Sequence, residues 1–134
     1  MKTKEQIHSI DINIVCYPTP FNKKSIDRMI QAFNQYSIEK SLNITLNKFM
    51  YEDFRSASEY SDTLTHLLLK SKSKSSNYEL VMFDLVETGK FKEQLVGLNK
   101  FKQYETYTND YVKGIAGEAC VYGSKPVSIV IYPS

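Results

Sequence analysis

Acidic and hydroxylated side chains collect in this chain just after its apolar runs. Asp84 closes the run Leu80, Val81, Met82 and Phe83, and Glu87 follows three residues later; Glu52 and Asp53 come after a second apolar stretch. Tyr17 and Thr19, interleaved with Pro18 and Pro20, follow a third run that ends on Val15 and Cys16. A carboxylate at the end of a strand can accept sugar hydroxyls, and the face of a neighbouring tyrosine can stack on a pyranose ring. The expected contacts of a small polar ligand are therefore Tyr17, Thr19, Asp84 and, near the end of the last alternating stretch, Tyr132. The competing structural roles are simple: Asp84 caps a turn, and Glu52 and Asp53 are solvated.

Catalytic chemistry finds little footing. His8 lies in the amino-terminal tail and His66 in a helical stretch, with no nucleophile or metal-ligand spacing beside either. The five glycines are scattered, and none falls between the first strand and its helix, so no phosphate-cradling loop is present. Cys16 and Cys120 match no metal-binding spacing and are expected to be free thiols, Cys16 as a small buried apolar group inside a strand. The sequence thus points to a non-enzyme with no cofactor and no bound metal.

The elements that must position these residues follow from hydrophobic periodicity. Ile10, Ile12 and Ile14 alternate, and Val15 and Cys16 extend the run into a first, central strand that Pro18 and Pro20 stop. Asn22 can cap a helix whose stripe is Ile26, Met29, Ile30 and Phe33. Leu42, Ile44 and Leu46 alternate with Asn43, Thr45 and Asn47 as an edge-type strand with one wetter face. Ser56 and Glu59 form a capping box ahead of a second helix with Tyr60, Leu64, Leu67 and Leu68 on its buried side. After the polar residues 70–77 comes the run 78–84, too short for a helix and apolar on both faces, which reads as a strand buried in the middle of a parallel sheet. A third helix is expected over residues 91–98, and a fourth along Tyr104, Tyr107, Tyr111 and Ile115. A hairpin turning at Gly123, Ser124 and Lys125 leads into a last strand at residues 126–132. The order β-α-β-α-β-α-α-β predicts an α/β fold, a three-layer sandwich around a mostly parallel sheet, in one domain spanning residues 1–134.

The totals fit that expectation. With 17 basic and 15 acidic residues the formal charge is +2 and the lysines are dispersed, which leaves no footprint for nucleic acid or an anionic membrane surface. No apolar run approaches the roughly 18 residues that span a bilayer, and the first eight residues lack the apolar segment of a signal peptide.

Several stretches, taken in order, resemble the first lobe of a type II periplasmic (extracellular) solute-binding protein of the sugar-binding group of ABC importers. They are the first strand, residues 12–17; the helix end Ile30, Gln31, Ala32, Phe33, Asn34, Gln35, Tyr36; the strand and aspartate of residues 78–84; Leu95, Val96, Gly97, Leu98, Asn99; and the hairpin of residues 114–128. Ser128, Ile129 and Val130 depart from the pattern, standing where that family carries glycine, leucine and proline. The resemblance implies non-catalytic binding of a sugar or oligosaccharide, outside the cell or in a periplasm, with a second lobe, a partner chain or a transporter completing the system. The chain covers about one such lobe, which makes it a fragment of a two-lobed protein or a lobe that stands alone. The rival expectation is an α/β protein-interaction or signalling module that docks through an exposed apolar patch and binds no small molecule.

Overall fold

A computed structural model describes residues 8–17, 23–50, 56–70, 78–108 and 115–129. The chain divides into two compact units, Met1–Ala57 with Asn77–Met82 and Ser58–Ser76 with Phe83–Ser134. Helices joined to a small, wholly parallel three-stranded sheet place it in the α/β class.

The first unit contains that sheet. Strand β1 (Ile10–Cys16) runs into helix α1 (Lys23–Glu39) and then strand β2 (Ile44–Met50); strand β3 (Leu80–Val81) arrives later, and the order is β2-β1-β3. The β1–β2 register runs from Ile10 opposite Ile44 to Cys16 opposite Met50, while β3 meets β1 at Ile14–Leu80 and Val15–Val81. β-Branched residues at Ile10, Ile12, Ile14 and Val15 suit a pleated surface. Ile14, Val15 and Cys16 are all buried, so the carboxyl half of β1 is covered on both faces. On one of these faces Ile14 and Cys16 cluster with Ile26 and Ile30 of α1, and Leu46 and Met82 pack against them.

The structure corrects one central expectation. The strand covered on both faces is β1, and the run 78–84 supplies only a two-residue strand at the margin of the described sheet, with Leu80 46% exposed. At its start Glu79 donates its backbone N–H to the Asn13 carbonyl at 3.0 Å, and its own carboxylate accepts the Asn13 N–H at 2.6 Å. A side chain thereby takes a place that a strand carbonyl would fill. Past Val81 the apolar residues part company, Met82 joining the cluster of the first unit and Phe83 packing edge-on to Phe91 in the second, with ring centroids 5.4 Å apart.

The buried face of α1 is also rotated from the expected stripe. Ile26 and Ile30 are buried, but Met29 is exposed, Phe33 is half-buried, and the face continues through Asn34 to the buried Ser37. Asn22, the expected cap, lies outside the described residues. The turn from α1 into β2 places two non-glycine residues in the left-handed region, Ser41 at φ 54° and Asn43 at φ 56°. Asparagine tolerates that conformation; serine adopts it less readily. Ser41→Gly should therefore raise the unfolding free energy by about 0.5–1 kcal/mol, measured as a higher denaturant midpoint at unchanged slope.

The second unit is mostly helical. Helix α2 (Ala57–Lys70), all but its first residue in this unit, begins directly after Ser56, as the capping-box reading expects. A 3-10 turn at Leu85–Glu87 leads into α3 (Thr88–Phe91), and a second at Leu98–Lys100 precedes α4 (Tyr104–Thr108). Helix α5 (Ile115–Ala119) follows, then the antiparallel hairpin of β4 (Val121–Tyr122) and β5 (Lys125–Pro126), which turns through Gly123 at φ 61°. The hairpin matches the expectation, but the strand expected to run from it over 126–132 does not continue past Pro126 among the described residues, where 127–129 lie outside any strand. The helix expected over 91–98 does not form: α3 ends at Phe91, and the Gln94 N–H closes a tighter turn on the Phe91 carbonyl at 3.0 Å. Of the helix expected along residues 104–115, α4 supplies Tyr104–Thr108 and α5 begins at Ile115, while residues 109–114 lie outside the described residues. Tyr60, Leu64, Phe91, Cys120 and Val127 form the buried apolar set of this unit. Lys125 crosses Gly97 to donate to the Leu95 carbonyl at 2.8 Å, and a Cβ on Gly97 would stand 3.2 Å from the Lys125 Cγ.

Candidate functional site

The carboxyl ends of β1 and β3 form the first place where ligand chemistry can occur. In a parallel sheet every strand presents this end on the same side, and where successive connections leave in opposite directions the loops part and open a crevice. Here β1 connects through α1 to β2 on one side and is flanked by β3 on the other, which makes the gap between β1 and β3 the place where such a crevice would open. The strands are held together there by the Met82 N–H donating to the Val15 carbonyl at 3.0 Å. Tyr17, half-buried, stands at the mouth of this end.

Cys16 immediately precedes Tyr17, and its thiol is inaccessible. Burial pushes the thiol up to about 11, with Lys48 acting in the opposite sense. A thiol so protonated at neutral pH is neither a nucleophile nor a metal ligand. Lys48 is itself paired with Asp27 of α1, two strand positions before the end of β2. Among the described residues, this end of the sheet thus brings the half-buried Tyr17 next to a buried, protonated thiol.

Asp84, the expected ligand carboxylate, has a local task. It belongs to the second unit, is exposed, and its Oδ1 accepts the Val86 N–H at 3.2 Å as the cap of the 3-10 turn. That turn delivers Glu87 into a polar cluster that the sequence reading did not single out as a whole. The Ser61 hydroxyl of α2 donates to Glu87 Oε1, and the Lys90 ammonium donates to Ser61 Oγ at 2.6 Å, with Asp62 4.0 Å from Lys90. Thr88 is also buried and donates to the Leu85 carbonyl at 2.8 Å.

A serine between a lysine and a carboxylate invites a nucleophilic reading, but the geometry opposes it. Ser61 is 4% exposed, its proton is committed to Glu87, and Lys90 supplies a proton where a catalytic base would accept one. The cluster satisfies a buried hydroxyl and ties α2 to the Glu87–Lys90 turn. A serine within the apolar stripe of α2, next to Tyr60 and three residues before Leu64, was the available signal for it.

Thr19 and Tyr132, together with Glu52 and Asp53, lie outside the described residues. His66 is exposed on α2. Both cysteines are free and buried. Among the described residues no group of three or more His, Cys, Asp or Glu side chains could hold a metal ion, and no helix is long and apolar enough to cross a membrane. No protein family, curated protein or solved structure matches the chain.

Proposed function

We propose that this chain recognises a small polar solute, a sugar or oligosaccharide, without converting it, at the carboxyl ends of β1 and β3. The observation that carries the reading is the all-parallel order β2-β1-β3, whose strands end on one side with Tyr17 directly after β1. The sugar comes from the resemblance to solute-binding lobes and from the tyrosine chemistry at that end. On this reading the chain is one lobe of an extracellular or periplasmic solute-binding protein or receptor ectodomain, completed by a second lobe, a partner chain or a transporter. The three-layer sandwich around a mostly parallel sheet belongs to the same reading.

The test is a thermal-shift screen of the chain against mono- and oligosaccharides, amino acids and short peptides. A ligand at 100 times its dissociation constant stabilises by about 2.7 kcal/mol, enough for a clear rise in melting temperature. The expected result is a saturable rise with a saccharide that Tyr17→Ala abolishes. Asp84→Asn keeps an acceptor for the Val86 N–H while removing the charge, so it separates a ligand role from the cap. No rise with any solute overturns the proposal. That outcome would favour the second reading, a protein-docking module, which draws on exposed apolar side chains such as Val86 at 88% and Ile38 at 73%.

A further inference from the structure

The outer edge of β2 shows a second device. In a parallel strand the N–H and C=O of one residue point to the same side and those of the next residue to the other. The Ile10 N–H donates to the Asn43 carbonyl at 2.8 Å, so the odd positions of this segment face β1 and the even positions face outward. Two outward positions are occupied by side chains of α1. Ser37 Oγ donates to the Ile44 carbonyl at 2.6 Å and accepts the Ile44 N–H at 3.1 Å. The Asn34 carboxamide donates from Nδ2 to the Leu46 carbonyl at 3.1 Å and accepts the Leu46 N–H at Oδ1 at 2.8 Å. Each side chain thus makes the donor-and-acceptor pair that a neighbouring strand would make.

The segment so covered reads Ile44, Thr45, Leu46, Asn47, Lys48, Phe49, Met50: rich in strand formers, with one charge and neither proline nor glycine. Such a strand with an open edge pairs readily with its own copy. Neither guard belongs to the apolar cluster, and the buried Ser37, 2% exposed, spends its hydroxyl on Ile44. We propose that Asn34 and Ser37 are edge guards, which close β2 against strand addition by the β2 of a second copy of this chain. Their position three residues apart on α1 sets them over alternate β2 residues, Ile44 and Leu46, so the spacing of the guards matches the two-residue repeat of the outward groups.

The test compares the full chain with Asn34→Ala, Ser37→Ala and the double variant. Amide hydrogen exchange is followed at Ile44 and Leu46, and mass at rising concentration by light scattering. In the unaltered chain these two edge amides should exchange as slowly as those of the inward-facing Thr45 and Asn47. Ser37→Ala should accelerate Ile44 at least tenfold and Asn34→Ala should do the same for Leu46. The double variant should add a concentration-dependent association step absent from the parent, with protection returning at both amides as copies pair. Fast exchange of Ile44 and Leu46 in the parent overturns the proposal, as does a folded double variant that gains no association step. Should the double variant fail to fold, the single variants decide by light scattering: association at rising concentration in either one supports the proposal, and two folded single variants that stay monomeric overturn it.

Discussion

Phe91→Ala should lower the unfolding free energy by about 3–5 kcal/mol, the range for emptying a buried phenylalanine site. Phe91 is 1% exposed, among the largest fully buried side chains, and closes α3 where the chain turns away. Its ring stands edge-on to Phe83, and the Lys90 ammonium lies 5.4 Å from its centroid, so truncation loses area, an aromatic pair and a cation contact together. Denaturant unfolding with an unchanged slope would give the value. Phe91→Leu, which leaves a smaller void, should cost less. A loss under about 1 kcal/mol for Phe91→Ala would mean that the site collapses freely, contrary to the packing described.

The protein should also lose stability at alkaline pH through Cys16. Its thiol is pushed up from about 9 to about 11 by burial. Between those values the unfolded chain has released the proton and the folded chain retains it, so the unfolded state binds fewer protons and stability falls as pH rises. Below pH 9 the contribution is fully present, and it is lost across pH 9 to 11. Two pH units correspond to about 2–3 kcal/mol. Because tyrosines and lysines titrate in the same range, the comparison is with Cys16→Ala, whose stability should decline less steeply over that window. Parallel curves for the two proteins would contradict the buried, protonated thiol.

Much of the first unit was legible because its strands and helix follow simple periods. The alternation around Ile44 and Leu46 announced a strand with a wet side, and β2 is at the edge of the described sheet. Ile10 to Cys16 announced a central one, and β1 is central. What misled was the apolar run 80–83, whose composition fits a strand buried on both faces while its side chains serve two different units. Periodicity cannot show that Glu79 would spend its carboxylate on the Asn13 N–H.

Polar residues on helical faces were the other blind spot. Ser37 falls four positions after Phe33, on the expected stripe, and Ser61 sits beside Tyr60, yet an apolar-stripe count passes over both. Their partners, a β2 carbonyl and a Glu87–Lys90 pair, are fixed by tertiary placement. Of the four expected ligand contacts, Tyr17 stands at the carboxyl end of β1, Asp84 caps a turn in the second unit, and Thr19 and Tyr132 lie outside the described residues.

The most direct measurement is a heteronuclear NMR titration of the labelled chain with hexoses and maltooligosaccharides, following amides at both ends of the sheet. Saturable shifts at Tyr17, Val81 and Met82, with Ile10 and Ile44 unmoved at the amino ends, are what recognition between β1 and β3 predicts. Shifts confined to other surfaces, or none at any concentration, would contradict a solute site at the carboxyl end of this sheet.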